Sequence, residues 1–254
     1  MGKIMRQKEA VKAITESLKK DPLVKAVFLK GSMGRGEEDE HSDVDLYALV
    51  DDESSFLKNR VRHLKVYKEI LFYDDIFIIA PQIIAIYEDL LHVDLFTVTD
   101  ETLIHKDYLK VLYDPENRLE KGEQHLRLSE QEFLDAVDDA AFFLLQYKKS
   151  AGRGNDLWSV KVLNDVAENT ARILLHKYCP KRAQLGLKTI ERSLSEEHKK
   201  ELKEIYEELT ISRHSYSAQK IAQLLDREFD WIVQQLPQAN FTEDFLRRMI
   251  DETK

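Results

Sequence analysis

Near residue 125 the hydrophobic pattern of the chain changes period, and that change restricts the folds open to it. Before it, short β-rich runs alternate with turn residues. Leu23–Leu29, Asp43–Val50, Ile76–Ile79, Ile83–Tyr87, Leu91–Val98 and Val111–Tyr113 read as strands, with Pro81-Gln82 and Glu88-Asp89 as turn signals. Helices are expected over 5–20, where Val11, Ile14 and Leu18 recur at helical spacing, and over 53–71. After the change, helical periodicity takes over. Ser129 and Glu132 fit a capping box that opens a helix to about Lys149. Ser150 to Gly154 break it, and Asn155 or Asp156 can cap a second helix to Tyr178. Further helices fit Ser195–Leu209, Ser217–Gln235 and Thr242–Ile250. The expectation is an α+β chain: a mixed-sheet α/β domain over 1–125, then an all-helical domain over 126–254.

Composition narrows the partners. Of 254 residues 43% are hydrophobic, enough for a real core. The 38 Lys and Arg against 47 Asp and Glu leave a net charge of −9, which argues against long nucleic acid. The single cysteine, Cys179, can form neither an internal disulfide nor a Cys-rich zinc site and reads as a helix-end or core thiol. The first twenty residues carry charges throughout and no apolar signal region. The longest apolar stretch, Ile76 to Tyr87, is interrupted by Pro81 and Gln82 and is too short to cross a bilayer. A cytoplasmic protein with no membrane partner is expected.

The chemistry concentrates between Phe28 and Leu46. A strand ends at Lys30, and Gly31, Ser32, Gly34 and Gly36 follow. Glycines let backbone N–H groups approach an anion, Ser32 adds a hydroxyl, and Arg35 adds a fork suited to phosphate. A helix starting near Ser32 would add its positive end. Asp43 and Asp45 alternate along the next strand, so their carboxylates share one face about 6–7 Å apart while Val44 and Leu46 face the core. Such a pair repels itself without a cation, and hard carboxylate oxygens suit Mg²⁺ together with substrate phosphates. A third acid, Asp94, lies in the apolar strand Leu91–Val98, where an acid needs a partner or a metal.

These residues resemble the nucleotidyltransferase superfamily, which includes DNA polymerase β, kanamycin nucleotidyltransferase and the minimal nucleotidyltransferases of bacteria. Leu29-Lys30-Gly31-Ser32, ten residues, then Asp43-Val44-Asp45-Leu46 and a later Asp94 follow its pattern, with Lys30 in place of the usual apolar residue or Tyr. The layout of an α/β domain followed by helices looks like the antibiotic nucleotidyltransferases of the lincosamide and kanamycin type. The resemblance implies an enzyme that moves a nucleoside monophosphate, AMP from ATP, to a hydroxyl of a small molecule and releases pyrophosphate. It implies that Asp43, Asp45 and Asp94 are catalytic and hold two Mg²⁺ ions. Gly31, Ser32, Arg35, Ser42 and Arg153 are then the nucleotide-binding residues.

Kanamycin-type relatives carry a Glu base shortly before a Tyr-Ala-Gly-Lys stretch, but Gln146 to Arg153 contains no Glu. Asp94 is therefore the first candidate for general base, with Asp138, Asp139 and Glu168 as alternates. The acceptor is a small hydroxylated molecule, and a second copy of the chain is an admissible partner. Other readings remain open: a protein-adenylylating enzyme of the antitoxin type, a template-free nucleic-acid polymerase, and a catalytically silent nucleotide-binding module. Glu37 to Glu40 read as a solvated face, and His41 and His92 as structural, with His92 sharing a strand face with Asp94. Arg172 and His176 read as a surface pair, and Trp158 and Tyr216 as packing residues.

Overall fold

Alternation along the strands builds two cores, one on each side of a single sheet. The computed structural model describes residues 6–104, 108–119, 124–237 and 241–254. The chain divides into two units, Met1–His125 and Leu126–Lys254.

Among its described residues the first unit holds six strands: β1 (Val24–Leu29), β2 (Val44–Val50), β3 (Ile70–Phe77), β4 (Pro81–Tyr87), β5 (His92–Val98) and β6 (Lys110–Tyr113). They form one mixed sheet in the order β3-β4-β5-β2-β1-β6. Only β2 and β5 run parallel; the other neighbours are antiparallel. Val27, Leu29, Leu46, Ala48, Ile83 and Leu95 pack on one face with Ala10, Ile14 and Leu18 of α1 (Arg6–Leu18). On the opposite face Phe28, Tyr47 and Phe96 stack at centroid distances of 5.1 and 4.4 Å, with Leu49 and Val98 beside them. Alternate residues of β2 thus serve different cores, which fixes the strand's register.

The expected helix over 53–71 is instead two short ones, α3 (Glu53–Leu57) and α4 (Val61–Leu64). Between them Arg60 turns inward, 1% exposed, and donates to Thr97 Oγ1 at 3.1 Å and to Asp75. That interior anchor interrupts the helical path. The strand expected over 76–79 begins at Ile70, and the turn falls on 78–80. Pro81 and Gln82 open β4 rather than forming the turn. A proline is tolerated at the first residue of a strand, where no ladder N–H is needed.

The second unit is helical: α5 (Glu130–Ala151), α6 (Asp156–Tyr178), α7 (Ile190–Ser193), α8 (Glu196–Glu207), α9 (His214–Gln235) and α10 (Thr242–Thr253). Ser129 and Glu132 form the expected capping box. A 3-10 helix over Pro180–Thr189 runs into α7, a stretch that periodicity leaves blank. Leu126 N–H donates to the Lys181 carbonyl and Gln184 N–H to the Leu126 carbonyl, each at 2.9 Å, and Ala183 is buried in the helical core. Among the described residues no helix is long and apolar enough to cross a membrane.

Candidate active site

The acids meet where β1 leaves the sheet and β2 and β5 begin. The parallel register sets Asp45 directly beside Asp94, so both carboxylates occupy the face that carries Tyr47 and Phe96. Val44, Leu46, Val93 and Leu95 turn to the helix-covered core. Asp43 stands one residue before β2 and is exposed, whereas Asp94 is only 7% exposed. One ligand atom each of Asp43, His92 and Asp94 lies within 4.8 Å of the others.

The cluster carries more negative charge than the cations beside it offset. Burial, followed by repulsion from Asp43 and Asp94, pushes the Asp45 carboxyl up to about 6, against the pull of His92 and Arg35. His92 bonds to Asp94 through Nε2 and Oδ1 at 3.0 Å, and that bond holds its imidazole above the ordinary range. His92 thus joins the cluster directly. Its place two residues before Asp94 on one strand face is the signal that sequence offers for this.

The loop after β1 is built around the same carboxylates. Gly31 opens the one-turn helix α2 (Gly31–Arg35) with φ of +59°. A Cβ there would lie 1.8 Å from Asp45 Oδ2, so the close approach requires glycine. Lys30 N–H donates to the Asp45 carbonyl at 3.0 Å, tying loop to strand. The Ser32 hydroxyl is buried and has no hydrogen-bond partner. A buried orphan hydroxyl is costly unless a ligand completes it.

Other expected residues have different surroundings. Arg35 donates from Nε to Glu37 at 3.0 Å, which draws Glu37 out of the solvated face expected for 37–40. Ser42 Oγ accepts from Asp39 N–H at 2.9 Å and donates to Asp39 Oδ1 at 3.2 Å, closing its own loop. Gln7, 1% exposed, donates to the Ser42 carbonyl at 2.8 Å and braces that loop from α1. Lys30 is buried, donates to the Ile104 carbonyl at 2.9 Å, and lies over the Tyr47 ring.

Arg153 belongs to the second unit and is exposed in the turn between α5 and α6. In the same unit Asp138 accepts from Thr242 Oγ1 at 2.6 Å, and burial with Asp135 and Asp138 raises the Asp139 carboxyl. Glu168 is exposed. His176 stacks on Phe133 at 4.4 Å instead of lying at the surface, while Trp158 and Tyr216 are 52% and 40% exposed rather than packed.

Chemically the site is a carboxylate set in search of a cation beside a loop with an unfilled hydrogen-bonding hydroxyl. That combination fits a divalent metal and a phosphate. Residues 12–87 match the family model described as Polymerase beta, Nucleotidyltransferase. The matched segment includes Gly31, Ser32, Asp43 and Asp45 and ends before Asp94. The match runs from within α1 to the end of β4 of the first unit. Among solved structures, an aminoglycoside 6-adenyltransferase from Bacillus subtilis is similar over 99% of both chains, at 17% identity and a TM-score of 0.43. A nucleotidyltransferase-like protein from Exiguobacterium sibiricum 255-15 is similar over 90% of this chain and 77% of its own, at 11% identity and a TM-score of 0.42. No curated protein matches the chain.

Proposed function

We propose that the protein transfers a nucleoside monophosphate, AMP from ATP, to a hydroxyl of a small molecule and releases pyrophosphate. The observation that carries this reading is the pairing of Asp45 with Asp94 in register, beside a Gly31-Ser32 turn pressed against the Asp45 carboxylate.

Asp43, Asp45 and Asp94 would hold two Mg²⁺ ions. Bound there, the metal neutralises phosphate charge and acidifies the acceptor hydroxyl. The residues do the rest. Ser32 donates its orphan hydroxyl to the triphosphate, and Gly31 lets the loop lie against the Asp45 carboxylate where a Cβ would collide with it. Arg35, adjacent to the cluster, balances charge on the departing pyrophosphate. The acceptor oxygen forms a bond to the α-phosphorus as the bond from that phosphorus to pyrophosphate breaks. The hydroxyl proton passes to a carboxylate base, for which Asp94 is the first candidate, held in orientation by His92.

The test is direct. The protein is incubated with each α-labelled NTP, Mg²⁺ and a panel of hydroxylated antibiotics and metabolites that includes aminoglycosides and lincosamides. The expected result is an acceptor mass increased by one nucleoside monophosphate, with ATP preferred. Hydrolysis alone, or no turnover with any acceptor, contradicts the proposal.

A further inference from the structure

On the helix-covered face of the sheet, away from Asp45 and Asp94, α1 leaves a cleft against the edge strand β6. One wall is a stripe of α1, Lys8, Val11, Lys12 and Thr15, at three- and four-residue spacing. The other wall is Lys110 and Leu112, alternate residues of β6 that share one face. The register sets Lys110 directly beside Leu29 of β1, which with Met33 of α2 completes the apolar lining. The cleft holds about 260 Å³, just below the roughly 300 Å³ at which sites for drug-sized ligands begin. Its occupant is therefore small.

Two features show what the cleft lacks. The first is negative charge. Three lysines line it against one carboxylate, Glu16, which already pairs with Lys19 at 2.6 Å. Lys8 lies 3.8 Å from Glu38. Lys12 acts on Glu16 only at longer range, and among the described residues neither Lys12 nor Lys110 forms an ion pair. These two cations face the cleft from opposite walls.

The second is a hydrogen-bond acceptor. Thr15 is 5% exposed, and its hydroxyl is buried with no partner. A threonine inside a helix can return its hydroxyl to the carbonyl four residues back. Thr170 of α6 does so, donating to the Val166 carbonyl at 2.8 Å. Thr15 of α1 does not, and a buried hydroxyl left alone is costly unless a ligand completes it.

We infer that this cleft binds a small organic anion, a carboxylate or phosphate monoester on a short apolar body. Lys12 and Lys110 hold the head from opposite walls, and Thr15 donates its hydroxyl to it. The body rests on Val11, Leu29, Met33 and Leu112. An inorganic anion would leave that apolar lining uncovered, and a neutral alcohol would leave the lysines unpaired. The site is distinct from the carboxylate cluster, and the inference stands or falls independently of the proposed nucleotidyl transfer.

Calorimetric titration tests it. Wild type receives hexanoate and hexyl phosphate, which distinguish the two head groups, and inorganic phosphate and 1-hexanol, which each lack half of the ligand. One of the two amphipathic anions should bind one to one, and about tenfold or more tighter than either control. The double variant Lys12→Gln, Lys110→Gln and the single variant Thr15→Val should each weaken it about tenfold or more, the loss of a hydrogen bond to a charged group. Both lysines are exposed, and Thr15→Val removes an unsatisfied hydroxyl at nearly constant volume, so circular dichroism should stay that of wild type. With methyl-labelled methionine, the Met33 resonance should move as the ligand saturates, and that of Met249 in the helical unit should not. The inference is overturned if neither amphipathic anion binds, or if inorganic phosphate or 1-hexanol binds as tightly. It is equally overturned if either variant binds as wild type does, or if Met33 stays unmoved at saturation.

Discussion

The α-carbon of Gly31 faces the Asp45 carboxylate so closely that an alanine methyl group would overlap Oδ2, at 1.8 Å. The loop and the central acid are thus shaped for one another. Gly31→Ala should cost about 2–4 kcal/mol, from a left-handed backbone carrying a Cβ and from overlap with the carboxylate. Urea denaturation measures this. Nucleotide binding should fall with it, whereas Gly36→Ala, with open space around its position, should suffer only the backbone penalty.

Ser32 offers a prediction of opposite sign. Its hydroxyl is buried without a partner, so Ser32→Ala removes an unsatisfied group and should leave stability unchanged or slightly higher. Affinity for Mg²⁺-ATP should nevertheless fall about 10- to 150-fold, the value of a charge-assisted hydrogen bond of about 1.5–3 kcal/mol. Thermal melts with and without nucleotide separate the two effects.

Asp45 should make metal-free stability decrease as pH rises. Its folded carboxyl titrates at about 6, above the 3.8 of an unperturbed aspartate. Between these values the folded state binds more protons than the unfolded one, so stability drops with rising pH and the full penalty is present above about 6. The magnitude is on the order of 3 kcal/mol. Melting curves in EDTA from pH 4 to 8 should show this slope, and Asp45→Asn should flatten it. Mg²⁺ should stabilise wild type more at pH 7.5 than at pH 5, because protons compete for the same oxygens.

Much of this arrangement can be read in the residues themselves. Asp43-Val44-Asp45-Leu46 declares two environments through strict alternation, and Leu91–Val98 isolates Asp94 among apolar neighbours. Long helices with capped starts, such as α5, are equally plain. What is hidden depends on tertiary contact. β3 is an edge strand exposed along most of its length, so no alternation marks Ile70 to Asp75. Arg60 looks like a surface helix residue until Thr97 and Asp75 claim it. Residues 180–189 form a 3-10 helix around Gly186, held by backbone pairing that no periodicity encodes. Ser42 sits beside the acids in sequence, yet its hydroxyl closes a turn with Asp39.

Arg153 tests the helical unit's share in nucleotide binding. It is exposed, so its removal should not alter stability beyond about 0.5 kcal/mol. If it contacts the triphosphate, Arg153→Ala weakens ATP about 10- to 150-fold and leaves acceptor binding without nucleotide unaffected. An unchanged ATP affinity would confine the nucleotide site to the first unit.

The central claim is that three carboxylates and a glycine-serine turn form a metal-dependent nucleotide site, and calorimetric titration tests it without knowledge of the acceptor. Wild type, Asp43→Asn and Asp45→Asn are titrated with a non-hydrolysable ATP analogue, with Mg²⁺ and with EDTA. The account predicts saturable binding by wild type only when Mg²⁺ is present, and its loss in both variants, whose circular dichroism remains that of wild type. Equal binding in EDTA, or undiminished binding by Asp45→Asn, would contradict it.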